Sequence, residues 1–279
     1  MAFAQFDFFS VSLKRPVSIN VVLPTDKFMF DGSKPDPDRK FPTLYLLHGV
    51  FGDFTDWVHG SRVQRLAQDH GICVVMPSGD NKFYCNSSKS GDLYGDFIGQ
   101  ELVDFTRRTL PLIRDRDHTF IGGLSMGGFG SLVNGFRNPE TFSRITPLSA
   151  ALIKNKILSS VDEPGHDIFT KTQYETLFDL ADVNDFEGSV NDYEALAKEL
   201  AASGKQLPEI YMACGQQDGL FEKNTAFRDL LLDLGYKVTW HEAPGVHNWD
   251  YWDMEIENVL NYLPLEENEK GISSENVGQ

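Results

Sequence analysis

The chain has 279 residues, 41% of them hydrophobic, and a net charge of -16. That length and composition suit one large α/β domain with a sizeable core. The strong acidity speaks against nucleic acid and anionic membrane surfaces as partners, since both demand a basic face, and no stretch is long and apolar enough to span a bilayer.

Met1-Ala2-Phe3-Ala4-Gln5 lacks a basic segment followed by an apolar run, so no leader is evident and a cytoplasmic setting is expected. Residues Phe6 to Leu13 and Val17 to Leu23 alternate in character around Lys14-Arg15-Pro16, which predicts two antiparallel strands. After a polar loop the rhythm changes to alternating strands and helices. Thr43 to Leu47 and Ile72 to Met76 read as buried strands, with a helix over Arg62 to Asp69 between them. An amphipathic helix is expected over Phe97 to Leu110, then a short strand over His118 to Gly122. Phe129 to Phe136 reads as a helix with Leu132, Val133 and Phe136 on one face, ended by Asn138-Pro139.

Arg144 to Ser149 is the next strand. Residues 150–207 interrupt the rhythm: the segment is polar and contains Pro164-Gly165, and one clear helix is expected in it, Asp192 to Ala202. It is too long for a plain connection and reads as an insertion, either over the carboxyl edge of the sheet or as a peripheral spacer. Strands over Ile210 to Cys214 and Lys237 to His241 follow, flanking a helix over Asn224 to Leu234 stopped by Gly235. A last helix is expected over Trp252 to Tyr262. The whole predicts a mainly parallel central sheet with helices on both faces and antiparallel N-terminal strands. It is organised as one domain over residues 1–265, with a flexible acidic tail over 266–279.

The richest motif is Gly123-Leu124-Ser125-Met126-Gly127-Gly128. Gly-x-Ser-x-Gly between a strand and a helix is the nucleophile elbow, in which small flanking residues let strand and helix approach while the Ser is held at a sharp turn. A serine hydroxyl needs a base to take its proton and an acid to orient that base. In elbow hydrolases these follow in the order Ser, acid, His. Asp218, in Gly215-Gln216-Gln217-Asp218 after a strand, is the expected acid, although Asp-Gly is also an ordinary turn pair. Of the His residues after the elbow, His166 lies in the insertion and His241 ends a strand. The loop beyond delivers His247, the expected base. The oxyanion donors are expected to be the backbone N–H groups of Met126 and of Val50, which follows His48-Gly49 at a strand end, with Phe51 as the neighbouring choice. No His/Asp cluster has metal-ligand spacing, and Cys73, Cys85 and Cys214 match no zinc or redox motif, so neither metal nor cofactor is expected. A non-catalytic binding module on the same fold would typically lack a triad member, whereas here all three stand in order.

His48-Gly49-x-x-Gly52-Asp53 with Trp57, the Gly123 to Gly128 elbow, and His247 followed by Trp249 and Trp252 together resemble the putative-esterase family. That family includes S-formylglutathione hydrolases, tributyrin esterases, feruloyl and acetyl xylan esterases, and mycolyltransferases. The resemblance runs from about Phe6 to Leu265 and is closest to the tributyrin-esterase-like branch, judging by Val74-Val75-Met76-Pro77 and the His247-x-Trp249-x-x-Trp252 ending. It implies an α/β-hydrolase fold, a triad of Ser125, Asp218 and His247, and no metal requirement. It also implies a small-molecule ester as the partner, with short-chain acyl esters as the leading class and S-formylglutathione or feruloyl and acetyl xylan esters as alternatives. A homo-oligomer fits equally. The family often places an aromatic residue of the loop after the Ile72 to Met76 strand at the site, which points to Phe83-Tyr84 and to Tyr84 in particular; Phe51 and Trp249 are the other candidates for substrate contact.

Overall fold

The computed structural model describes residues 2–266 except residues 30, 31, 33, 35, 164 and 166. The acidic tail expected from residue 266 onward therefore lies outside the described residues, apart from Glu266. An antiparallel hairpin opens the chain, β1 (Ala2–Ser10) and β2 (Arg15–Leu23). It is followed by β3 (Thr43–Leu47), α1 (Asp56–Gly60), α2 (Val63–His70) and β4 (Cys73–Pro77). A two-residue pair, β5 (Asn86–Ser87) and β6 (Asp92–Leu93), leads into a helical run made of α3 (Tyr94–Asp96), a wide turn over Phe97–Glu101 and α4 (Leu102–Thr109). Then come β7 (Thr119–Leu124), α5 (Met126–Arg137) and β8 (Arg144–Leu148). Segment 150–207 holds α6 (Lys154–Leu158), α7 (Lys171–Leu177) and α8 (Tyr193–Ala202). The chain closes with β9 (Glu209–Ala213), α9 (Phe221–Asp233), β10 (Val238–His241) and α10 (Trp249–Tyr262).

The main sheet has the order β1-β2-β4-β3-β7-β8-β9-β10. Pairing is antiparallel from β1 through β4 and parallel from there to β10. The parallel strands β3, β4 and β7 are buried at every residue, which is why they read as continuous apolar runs. One face of the sheet carries α4, α5, α8 and α9 over a core that includes Tyr45, Ile121, Phe129 and Phe227. The other carries α2 and α10 over Leu46, Phe120, Trp57 and Ile256.

Three differences from the sequence reading have clear causes. The first strand starts earlier and stops at Ser10 instead of Leu13. Its end is set by Glu101, whose carboxylate accepts from Ser10 Oγ (2.7 Å), the Val11 N–H (2.6 Å) and the Ser12 N–H (3.0 Å) and so pins the hairpin turn to the helix below. Second, α5 is buried on every side and not on one face. It faces the sheet inward and segment 150–207 outward, where Phe129 meets Phe178 (5.8 Å) and Tyr193 (5.9 Å). Third, that segment holds two short α-helices and a 3-10 turn over Val183–Phe186 beyond the expected helix. They are too short to show an apolar period, but α7 opens with a full capping box between Thr170 and Gln173. Buried Asp192 ties the segment's two ends together: its carboxylate takes the Lys154 ammonium at 2.9 Å and caps α8 through the Glu194 N–H at 3.0 Å.

Candidate active site

Ser125 sits between β7 and α5 with φ 53° and ψ -115°, a conformation that side-chain-bearing residues rarely hold. The surroundings enforce it. Its N–H donates to the Leu148 carbonyl (2.9 Å) and its carbonyl accepts from Ala151 N–H (2.9 Å). The elbow also needs its glycines. A Cβ at Gly127 would lie 2.3 Å from the Leu47 carbonyl oxygen, and one at Gly123 would lie 2.6 Å from the same atom. Either would push β7 and α5 off β3.

Asp218 follows β9 and His247 follows β10, so both arrive at the carboxyl edge of the sheet beside the elbow. The two loops are laced together. Gln217 N–H donates to the Gly245 carbonyl (3.0 Å) and Gly245 N–H to Gln217 Oε1 (2.8 Å). The result is a continuous relay in which His247 Nδ1 lies 2.7 Å from Asp218 Oδ2 and His247 Nε2 lies 3.0 Å from Ser125 Oγ. A carboxylate can only accept, so Nδ1 carries the proton and the Nε2 lone pair faces the serine hydroxyl. Burial pushes the Asp218 carboxyl up, but the hydrogen bond from His247 and the Leu220 N–H outweigh it and hold the group below its ordinary value. It is therefore charged at neutral pH. The imidazole is steadied edge-on by Trp252, ring centroids 4.9 Å apart. In the sequence, only the Trp252 position within the family ending hinted at that contact.

Opposite the relay, Gly49 abuts Ser125: a Cβ on it would lie 3.5 Å from Ser125 Cβ. Met126 N–H is at the first turn of α5, where no intrahelical acceptor exists. Val50 N–H makes no hydrogen bond among the described residues, whereas Phe51 N–H is taken by Asn81 Oδ1 at 2.7 Å. Of the two neighbouring choices, only Val50 has a free donor.

The loop is braced by His48, a role that the sequence reading did not assign. Gly79 N–H is an obligate donor to His48 Nε2 (2.8 Å), so Nδ1 bears the proton and donates to the Gly49 carbonyl (2.7 Å). Burial pushes His48 below the ordinary imidazole value, and it is neutral. With the folded value depressed, His48 contributes stability that is complete above the unfolded value of about 6.5 and is lost as pH falls below it. Unfolding measured by denaturant titration from about pH 7.5 to about pH 5.5 should show a shallower acid slope in His48→Gln than in the wild type. Equal slopes would refute this account.

The three aromatic candidates are placed differently. Tyr84 is a correction: it is 0% exposed, its hydroxyl donates to the His48 carbonyl (2.9 Å), and its ring fills the space over Gly79 and Gly130. It supports the loop from below and cannot reach a ligand. Trp249 is half-buried and packs edge-on against Trp57 (5.2 Å) and Trp252 (5.4 Å), joining α10 to α1. Phe51 stands 75% exposed. All three cysteines are free and buried, and burial pushes the Cys85 and Cys214 thiols up to about 12. Among the described residues no helix is long and apolar enough to cross a membrane.

Known proteins match this chain over nearly its whole length. A family model described as Putative esterase matches residues 10–263. An acetyl esterase of Caldicellulosiruptor saccharolyticus is 36% identical over 272 residues, covering 94% of this chain and 98% of the relative. A substrate-bound fluorophosphonate-binding serine hydrolase of Staphylococcus aureus superposes with a TM-score of 0.81 at 28% identity, covering 94% of this chain and 98% of that one. An S-formylglutathione hydrolase from the same organism gives 0.79 at 28% identity with the same coverage. With the α/β-hydrolase sheet order in place and the match spanning residues 10–263, the chain belongs to the Putative esterase family and is a serine hydrolase of carboxylic esters.

Proposed function

We propose that Ser125, His247 and Asp218 form the catalytic triad of a carboxylesterase that cleaves short-chain acyl esters through an acyl-enzyme. The observation that carries this reading is the unbroken relay from Asp218 through His247 to Ser125, at 2.7 and 3.0 Å. Nε2 takes the hydroxyl proton as Ser125 Oγ attacks the ester carbonyl. Asp218 holds the ring in the required tautomer and offsets the imidazolium charge. The N–H groups of Met126 and Val50 receive the oxyanion, Met126 with the aid of the α5 N-terminus. The imidazolium then protonates the departing alcohol, and water attacks the acyl-enzyme by the reverse proton path. Segment 150–207 belongs, in this reading, to the single hydrolase domain, since it shares the core of α5.

The acetyl esterase relative supports a short acyl group. The S-formylglutathione hydrolase neighbour supports a second reading with the same triad and a thioester substrate. A net charge of -16 does not favour that anionic peptide. Turnover across p-nitrophenyl esters of rising chain length, with S-formylglutathione, methyl ferulate and acetylated xylan alongside, separates these substrates. Each buried methylene adds about 0.8 kcal/mol while the pocket has room, so efficiency should climb and then turn over by about four to six carbons. A steady rise to palmitoyl esters would refute the short-acyl reading.

A further inference from the structure

Residues 49–52 close a tight turn at the carboxyl end of β3, with Gly52 N–H donating to the Gly49 carbonyl at 3.3 Å. Phe51 is the third residue of that turn and has φ 67°. A turn with positive φ at this place ordinarily takes Gly or Asn, because a β-carbon there crowds the backbone. The ring is also 75% exposed, and among the described residues it makes no aromatic or cation contact. The chain thus spends a strained backbone and a bare aromatic ring on one position and gains little burial from either.

The turn is not loose. Asn81 Oδ1 holds the Phe51 N–H, Ser78 Oγ accepts the Phe54 N–H (3.1 Å), Asn20 Nδ2 donates to the Phe54 carbonyl (3.1 Å), and His48 bridges to Gly79. Side chains from two other segments, β2 and the loop over residues 78–81, hold the backbone of the turn, and the ring stands one residue from the free Val50 N–H. Val246, next to His247, is also exposed. Local choices that contradict local preference, in a braced loop beside a reacting group, mark a functional contact.

Resting on the triad reading above, we propose that Phe51 is a specificity-determining residue. Its ring is an apolar wall of the site that selects esters carrying an alkyl or aryl group next to the scissile bond over esters whose groups there are polar or charged.

The test uses Phe51→Asn, which suits positive φ and removes the ring, and Phe51→Leu, which keeps apolar bulk. Two series are measured, p-nitrophenyl esters from acetyl to hexanoyl and acetate esters of ethanol, butanol and benzyl alcohol, so that the acyl and alcohol sides are read separately. For Phe51→Asn the larger apolar members of at least one series should lose about tenfold or more in kcat/KM relative to the smallest member, carried by KM, with Phe51→Leu recovering most of it. The melting temperature of Phe51→Asn should equal or exceed that of the wild type, since strain is relieved and little packing is lost. An unchanged profile in both series, an equal loss on every ester, or a fall in melting temperature would overturn the assignment of Phe51. Wild-type protein that neither cleaves any of these esters nor labels with a fluorophosphonate would overturn the triad reading instead, and this one with it.

Discussion

Ser125→Ala should yield a folded protein with turnover reduced by about four to six orders of magnitude, the usual consequence of deleting a triad nucleophile. Nothing else at the site can replace the hydroxyl. Among the described residues no other hydroxyl or thiol is hydrogen-bonded to His247 Nε2, and burial keeps the Cys85 and Cys214 thiols protonated. The fold should barely respond. Alanine tolerates the elbow conformation about as poorly as serine does, and the backbone bonds to Leu148 and Ala151 that enforce it are untouched. The stability change should stay under about 1 kcal/mol, as for a substitution that removes one partly solvated hydroxyl. Steady-state turnover, fluorophosphonate labelling followed by intact mass, and thermal melting together check this. Labelling that persists in the variant would show that another residue is the nucleophile.

Asp218→Asn is the second large effect, expected near four orders of magnitude in kcat. The geometry shows why so small a change acts so strongly. Oδ1 accepts from the Leu220 N–H at 2.8 Å, and an asparagine keeps that bond by placing its carbonyl oxygen there. Its NH2 group then faces His247 Nδ1 as a donor, which forces the imidazole proton onto Nε2. A donor now points at Ser125 Oγ where a base is required. The loop and the fold survive, so binding of a substrate analogue should persist while chemistry stops. Asp250→Asn is the control, because Asp250 lies in the first turn of α10 and takes no part in the relay. Full activity in Asp218→Asn with loss in Asp250→Asn would show the acid to be misassigned.

The convergence of Ser125, Asp218 and His247 was legible in the sequence because each follows a strand: Ser125 and Asp218 stand beyond the buried runs of β7 and β9, and His247 beyond the half-exposed edge strand β10. Parallel strands deliver their ends to one edge, so order along the chain becomes proximity in space. The sheet was legible for the same reason. What the sequence could not resolve was direction. Phe83-Tyr84 reads the same whether the rings face a cleft or a core, and Tyr84 turned inward because Gly79 and Gly130 leave a slot that only a flat ring fills. The burial of α5 was hidden too, since its outer partners, Phe178 and Tyr193, come from a segment that looks polar overall. The end of β1 depended on Glu101, some ninety residues away, and no local pattern reports such a contact.

The setting of α5 has a consequence for how the molecule fails. A helix covered on every side opens only when the whole core opens, so its amides should be among the slowest to exchange with solvent. The loop over residues 242–248 is different: it lies largely at the surface and is held by a handful of bonds to the loop of Asp218. Gentle warming or dilute denaturant therefore frees the base while the nucleophile is still locked in place. Activity followed on warming should fade in a subglobal step below the main transition seen by circular dichroism, and cooling should restore it without refolding. The temperature at which activity fades should then report the fastening of one surface loop, and the melting temperature of the fold should be a separate and higher one.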